Sequence, residues 1–226
     1  RVSRPTIYKV IDRARSQEFA PRKSTNKRFL QAKYGMKRLA KVEVSIERKK
    51  KAKARRYNKD YPGEMIHFDT KRLPLLKGET KSKPRDYLFV AIDDFSRELY
   101  AGILPDKTQN SAAKFLHQVI DECPYTIECA YSDNGTEYKG TPDHAFVSTC
   151  KANGIGQKFT RVKRPQTNGK AERVIKTLLN MWHEKYIFDS RQDRQVGLAR
   201  FVNFYNTVKP HTGIGNLTPY ELLINY

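Results

Sequence analysis

The sequence contains few cysteines and no long apolar stretch, and these two shortages exclude several classes of protein. Its three cysteines form no CxxC pair and its five histidines are scattered, so neither a disulfide framework nor a zinc site is predicted. We therefore expect a reduced, intracellular setting. No apolar run approaches the ~18–20 residues of a membrane helix, and no signal peptide opens the chain. Because Arg1 rather than methionine comes first, we expect the sequence to be a piece of a longer protein.

Acidic residues are scarce in the first sixty positions, where only five accompany 21 lysines and arginines. The remaining positions hold 19 acidic and 23 basic residues, so most of the net charge of +20 belongs to a basic N-terminal arm. Such an arm favours binding to nucleic acid, because each neutralised phosphate releases counterions. The alternatives are a merely solvated charge run and a membrane surface. Residues 48–56 lack the apolar face that membrane binding needs.

The arm itself shows two helical patterns. Ser3 can cap a first helix that has Pro5 in its first turn and apolar residues at helical spacing. Residues 1–20 fit the end of a helix-turn-helix module, with an ordinary surface helix as an equal alternative. Residues 21–61 are predicted to form a basic linker and a helix that runs into the lysine-rich stretch. The arm residues predicted to contact DNA are Arg4, Thr6, Lys9, Lys49, Lys50, Lys51 and Lys53.

From Pro62-Gly63 onward the pattern is that of a mixed α/β domain, which we place at residues 62–226. The predicted strands, of which the first three form a meander, are 65–70, 87–92, 99–104, 127–131 and 157–162. The predicted helices are one after an Asn110/Ser111 cap, 143–153, about 168–188 and 196–206. In the 168–188 helix, the stripe expected to be buried is Ala171, Val174, Ile175, Leu178, Trp182 and Tyr186.

Three acidic residues lie where packing alone does not explain them. Asp69 is on the first strand of an otherwise apolar sheet, where a charge is costly unless it is paired or bound to a metal. Asp133 ends the fourth strand, and Glu172 lies in the first turn of the long helix. Asp133 alone could be a turn residue, and Glu172 alone could simply interact with the helix dipole. Together, the three offer the all-oxygen ligands that Mg²⁺ prefers.

Four sequence blocks surround these acids: MIHFDT at 65–70, YLFVAIDDFSR at 87–97, SDNGTEY at 132–138 and RPQTNGKAER at 164–173. In this order they resemble the integrase core of DDE transposases, specifically bacterial insertion-sequence transposases with a retroviral-integrase-type core. The resemblance covers about residues 62–224. It implies a ribonuclease H-like fold, a mixed five-stranded sheet flanked by helices, with Asp69, Asp133 and Glu172 as the catalytic and metal-binding acids. One departure is that 38 residues separate Asp133 from Glu172, slightly more than usual in the family.

Residues near the three acids leave further alternatives open. Glu137, four residues after Asp133, is the rival for the third carboxylate. Asp93 and Asp94 are expected in a turn between strands, and His67 is expected to be a satisfied core histidine. Beside the third acid, polar and basic residues form either a solvated face or a surface for the DNA backbone. These residues are Arg164, Gln166, Asn168, Lys170, Arg173 and Lys176.

These features together predict a DNA transposase that cleaves transposon ends and joins the 3′-hydroxyl to target DNA. The resemblance implies two Mg²⁺ ions with Mn²⁺ as a substitute, double-stranded DNA as partner, and a homodimer or larger synaptic assembly. It also implies a place in the bacterial cytoplasm, with the nucleoid. Two alternatives remain: a nuclease of the same fold that joins nothing, and a non-catalytic DNA-binding regulator derived from a transposase. Retention of all three acids weighs against the regulator.

Overall fold

The computed structural model describes residues 44–45, 58–76, 78–80, 82–160 and 168–226. The chain divides into two compact units, 1–57 and 58–226. Of the first unit only Val44 and Ser45 are described, and both are helical. The helix-turn-helix, the basic linker and the functional boundaries at 20 and 61 stay predictions. The predicted DNA contacts outside the described residues are Arg4, Thr6, Lys9, Lys49, Lys50, Lys51, Lys53, Arg164 and Gln166.

The second unit is built on a mixed five-stranded sheet, as the sequence predicted. Its strands are β1 (Ile66–Arg72), β2 (Tyr87–Asp93), β3 (Leu99–Leu104), β4 (Cys129–Ser132) and β5 (Gly156–Phe159). They lie in the order β3-β2-β1-β4-β5. The first three strands pair antiparallel, whereas β4 runs parallel to both β1 and β5. The carboxyl ends of β1 and β4 therefore lie at the same edge of the sheet.

Helices cover both faces of this sheet. They are α1 (Gln109–Glu122), α2 (Ala145–Ala152), α3 (Gly169–Leu178), α4 (Arg191–Thr207) and α5 (Pro219–Ile224). Phe89 and Ala91 of β2 face a core that includes residues of α1 and α2. Leu88 and Val90 face the opposite core, to which α3 and α4 contribute. The continuous apolar run of β2 is explained by this two-sided burial.

Two helix predictions need correction. The cap of α1 is Thr108, whose side chain accepts from the Ser111 N–H, so the helix begins before the predicted Asn110/Ser111 cap. The helix predicted to reach residue 188 ends as α3 at Leu178 and continues only as a π-helical turn, Leu179–His183. That turn disrupts the 3.6-residue periodicity, and the chain leaves the helix before Tyr186, which is 62% exposed rather than buried.

The remaining strands and helices lie where they were predicted, with differences only at the ends of some of them. Strand β3 matches its predicted bounds, and β4 begins at Cys129, two residues later than predicted. Strand β5 ends at Phe159, and residues 161–162 of its predicted span lie outside the described residues. Helix α4 begins earlier than predicted because the Ser190 side chain caps it by accepting from the Asp193 N–H. Among the described residues, no helix has the length and apolarity needed to cross a membrane.

Candidate active site

Asp69 lies on β1, directly beside Val90 of β2. Side chains alternate along a strand, so Asp69 and His67 point away from the face that buries Ile66 and Phe68. The Asp69 carboxylate accepts a hydrogen bond from the Thr70 N–H (2.8 Å). Burial, followed by the negative charges of neighbouring carboxylates, raises the pKa of Asp69 to about 6, although that hydrogen bond lowers it.

Asp133 directly follows β4 at the same sheet edge. In the β1–β4 register, Ile66 pairs with Ala130, so Asp69 and Asp133 come at equivalent positions along the two chains. The Gly135 N–H donates to Asp133 Oδ1 (2.9 Å), which holds the carboxylate in the tight turn after the strand. A Cβ at Gly135 would lie only 2.9 Å from that oxygen and 2.4 Å from Glu137 Oε2, so a larger residue here would displace these carboxylates.

Glu172 lies in the first turn of α3, which packs against β1 and β2. The side chain is exposed, whereas the neighbouring Ala171 and Val174 are buried against the sheet, as predicted. The charges of Asp133 and Glu172 both raise the pKa of Asp69, and that of Asp133 has the larger effect. Residues from three separate elements are therefore close enough to be electrostatically coupled.

Glu137, the rival for the third carboxylate, has a different environment. Its side chain is 1% exposed and forms an ion pair with Lys107 (3.0 Å), while its Oε2 has no hydrogen-bond partner among the described residues. Its charge has a smaller effect on the pKa of Asp69 than that of Glu172. Burial lowers the pKa of Lys107, but the hydrogen bond and charge of Glu137 raise it overall, with smaller contributions from Asp133 and Asp69. Nothing in the local sequence marks Lys107 as a neighbour of this site.

The donor chemistry of the three predicted acids fits a hard divalent cation, because all the side-chain donors are carboxylate oxygens. At neutral pH a carboxyl with a pKa of about 6 is mostly ionised, so Asp69 remains able to act as a ligand. In the part of the chain that the structure describes, no three His, Cys, Asp or Glu side chains are placed so that they could hold a metal ion. The charges of Asp133 and Glu172 thus affect the pKa of Asp69, but the role of the three acids as metal ligands stays a prediction.

The four described residues that were predicted to contact DNA beside Glu172 fall into two groups. Asn168 is 3% exposed and donates to the Phe68 carbonyl (3.0 Å), and Lys170 forms an ion pair with Asp94. Arg173 and Lys176 are exposed on the same helix as Glu172. These two, with Glu172, line an open groove of about 670 Å³. The surface available to DNA on α3 therefore includes Arg173 and Lys176, whereas Asn168 is buried in the protein.

The turn prediction is confirmed for Asp94, because residues 94–96 form the turn that follows β2, whereas Asp93 is the last residue of that strand. The Asp93 carboxylate accepts from the Ser96 N–H (2.7 Å) and the Gly63 N–H (3.0 Å). His67 is buried, as expected of a core histidine, and both of its ring nitrogens have polar neighbours. Sequence reasoning missed that these neighbours, Asp94 and Asn168, connect His67 to the start of α3.

Comparison with known proteins gives two matches to family models described as Integrase core domain, at residues 59–165 and 153–219. The chain is 27% identical over 135 residues to an uncharacterized protein of Caenorhabditis elegans. It is 36% identical over 95 residues to the Retrovirus-related Pol polyprotein from transposon TNT 1-94 of Nicotiana tabacum. These matches cover 60% and 41% of the chain but only 10% and 7% of the two relatives.

Two solved structures share the fold. The catalytic core domain of BIV integrase is 22% identical with a TM-score of 0.53, and the match covers 72% of this chain and 95% of that one. A chain of the simian T-cell lymphotropic virus intasome, solved in complex with a PP2A regulatory subunit, is 19% identical with a TM-score of 0.60. That match covers 74% of this chain and 56% of the other. The described sheet and its flanking helices thus have the ribonuclease H-like arrangement that the sequence predicted.

Proposed function

The chain belongs to the integrase core family, and on that premise we propose that it is a DNA transposase. Family membership supports polynucleotidyl transfer as the general class of reaction. The observation that carries the finer proposal is the placement of the three acids. Asp69 on β1 and Asp133 after β4 come at equivalent positions along paired strands, and Glu172 is in the first turn of α3, which packs against β1. The chain spans a tenth or less of the length of the curated relatives it matches. The activity of the whole protein is therefore also a proposal.

In the proposed reaction, hydrolysis at a transposon end leaves a 3′-hydroxyl. That hydroxyl attacks a phosphodiester of the target, so that one P–O bond forms as another breaks and the displaced 3′-oxygen leaves with the proton. A direct transesterification needs no covalent intermediate with the protein, and we assign no side chain as nucleophile. The energy of the broken bond is retained in the new one, which is why no nucleotide cofactor is proposed.

Asp69, Asp133 and Glu172 would hold the divalent cations of this site. Mg²⁺ held there would supply positive charge that stabilises an in-line displacement at phosphorus. The role of the protein is to hold these carboxylates in place: the Thr70 N–H orients Asp69, and the Gly135 N–H orients Asp133. Mn²⁺ is the proposed substitute, because it also prefers oxygen ligands.

DNA is proposed to lie along the exposed face of α3. Arg173 and Lys176 border the groove that contains Glu172, so their charges are placed to bind phosphates beside the reacting one. The joining of two transposon ends in concert would require a dimer or a larger assembly. The basic arm would supply most of the remaining affinity for transposon ends.

The proposal is tested by incubating the full chain with labelled pre-cut transposon ends and a plasmid target. The ends are those that flank its gene. We expect labelled ends to become joined to the plasmid in Mg²⁺ or Mn²⁺. Ca²⁺ should support assembly without joining, because it binds oxygens at about 2.3–2.6 Å in a looser geometry than Mg²⁺.

Two outcomes would contradict the proposal. Hydrolysis of the ends without any joined product would indicate a nuclease of the same fold. Full joining in EDTA would show that the three acids do not act through a metal. A scrambled end sequence is the matched control, because non-specific joining would occur with both substrates.

A further inference from the structure

Asp94 is the buried carboxylate at which β1, the end of β2 and the start of α3 meet. Its side chain is 1% exposed. Its N–H donates to the Met65 carbonyl (2.9 Å), which fixes the turn after β2 to the residue before β1. Its Oδ2 accepts from His67 Nε2 (2.7 Å), and its Oδ1 accepts from Lys170 Nζ (2.6 Å). One side chain therefore connects the strand that carries Asp69 with the helix that carries Glu172.

Asn168 makes a second connection between the same two elements. It immediately precedes α3, and its Nδ2 donates to the carbonyl of Phe68, the residue before Asp69 (3.0 Å). This bond fixes the orientation of the amide, so that its Oδ1 lies 3.2 Å from His67 Nδ1. The histidine ring thus bridges Asn168 on one side and Asp94 on the other.

Both connections are close to the predicted third acid. Lys170 is two residues and Asn168 four residues before Glu172, which corresponds to about 3–6 Å along a helix axis. The Glu172 side chain itself is exposed. Its position relative to Asp69 therefore depends on how the first turn of α3 is held against β1.

We infer that Asp94 is a positioning residue that, through His67 and Lys170, fixes the first turn of α3 and with it Glu172 against Asp69. This inference rests on the proposed function, because Glu172 matters only if it is the third acid. The carboxylate of Asp94 is suited to this role because it is ionised. Burial raises its pKa, but hydrogen bonds from His67 and Lys170 lower it to about 2.

Asp86 provides a control with nearly the same chemistry. It lies just before β2, whereas Asp94 lies just after, so the two are roughly 25 Å apart at the rise of an extended strand. Asp86 is also buried, and it pairs with Arg191 and Arg194 of α4. Helix α4 carries none of the predicted site residues, so loss of Asp86 removes a buried ion pair without touching the start of α3.

The experiment compares Asp94→Asn with Asp86→Asn in the full chain. Hydrogen exchange is first measured without metal. We expect the amides of the first two turns of α3 to exchange about tenfold faster or more in Asp94→Asn, and those of α4 to do so in Asp86→Asn. Joining is then measured at saturating Mg²⁺. We expect a loss of about tenfold or more in Asp94→Asn, typical of residues that orient ligands, and a change within about twofold in Asp86→Asn.

Unchanged exchange in α3 of Asp94→Asn would overturn the inference, as would an equal loss of joining in the two variants. Should Asp94→Asn fail to fold, Lys170→Met removes the same ion pair, with Lys114→Met on the exposed face of α1 as its control. Lys170→Met is expected to accelerate α3 exchange, and normal exchange would overturn the inference. If the unaltered chain joins no DNA, the proposed function fails, whereas the exchange result still decides whether Asp94 holds α3.

Discussion

At the scale of single residues, the two aspartates of the candidate site could be predicted because each is unusual within its own short segment. Asp69 interrupts an apolar strand, and Asp133 ends one. The ion pair between Lys107 and Glu137 could not be predicted, because it joins residues 30 positions apart in two loops. The burial of Asn168 was missed for the same reason: its partners lie about 100 residues earlier in the chain. Local patterns identify unusual residues, but partners distant in sequence become neighbours only in the fold.

The raised pKa of Asp69 predicts that its ionisation destabilises the metal-free protein. The pKa is about 6 in the folded protein against 3.8 for an ordinary aspartate, so folded protein binds the proton more tightly than unfolded chain does. The resulting cost is absent below about pH 4, grows as the pH rises towards 6, and is complete above it. We expect Asp69→Asn to raise the free energy of unfolding at pH 7.5 by on the order of 2 kcal/mol.

Urea denaturation in EDTA at pH 7.5 and pH 4 measures this effect. The gain should vanish at pH 4, where the native aspartate is already protonated. Asp143→Asn, at an exposed position, is the control and should change stability little at either pH. A loss of stability in Asp69→Asn at pH 7.5 would mean that the ionised carboxylate is favourable in the fold.

At the scale of elements, the strands were more predictable than the ends of the helices. The bounds of β3 follow from a short apolar run between turn residues, and those of β2 from its burial on both faces. The end of α3 was missed because Tyr186 continues the apolar spacing of an ideal helix. The Glu184 N–H instead donates to the Leu179 carbonyl, five residues back (2.8 Å), and the chain then leaves the helix. Apolar spacing alone carries no signal for such a turn.

The packing of α4 depends on an arginine that the sequence does not mark as buried. Arg194 is 1% exposed, pairs with Asp86 and donates to the Pro74 carbonyl (3.0 Å). Removal of one partner from a buried ion pair costs about 3–5 kcal/mol, and Arg191 remains to offset part of that loss. We therefore expect Arg194→Met to lower the free energy of unfolding by about 2–3 kcal/mol.

Chemical denaturation of Arg194→Met and of Arg200→Met tests this expectation. Arg200 is exposed on the same helix, so its substitution should cost little. Equal stability of the two variants would show that the ion pair between Arg194 and Asp86 contributes nothing net to the fold.

At the scale of the whole molecule, charge is divided unevenly between the first sixty residues and the rest, with a net of +16 out of +20 in the former. If the arm supplies most of the affinity for DNA, replacing its lysines should weaken binding to all sequences alike. It should also flatten the dependence of log K on log salt, by up to about 0.9 per lost phosphate contact. The substitutions are alanine at Lys49, Lys50, Lys51 and Lys53.

A control of equal charge comes from the second unit, residues 58–226. Four exposed lysines there can be replaced together: Lys114, Lys151, Lys158 and Lys185. Salt titrations of binding to terminal-repeat and scrambled duplexes should then give a flatter slope only for the arm variant. Equal flattening by both variants would show that the arm has no special part in holding DNA.

The central claim is that Asp69, Asp133 and Glu172 form the site of DNA joining. The part of this claim that a single experiment can most easily contradict is the choice of Glu172 over Glu137 as the third acid. The direct measurement is single-turnover joining of pre-cut ends in Mg²⁺ by the full chain, by Glu172→Gln and by Glu137→Gln. Both substitutions remove a carboxylate charge at nearly constant shape, so folding and end binding, measured in parallel, should be retained. We predict that Glu172→Gln abolishes joining and that Glu137→Gln, which alters only the ion pair with Lys107, retains it. Retained joining in Glu172→Gln, with loss in Glu137→Gln, would contradict the account.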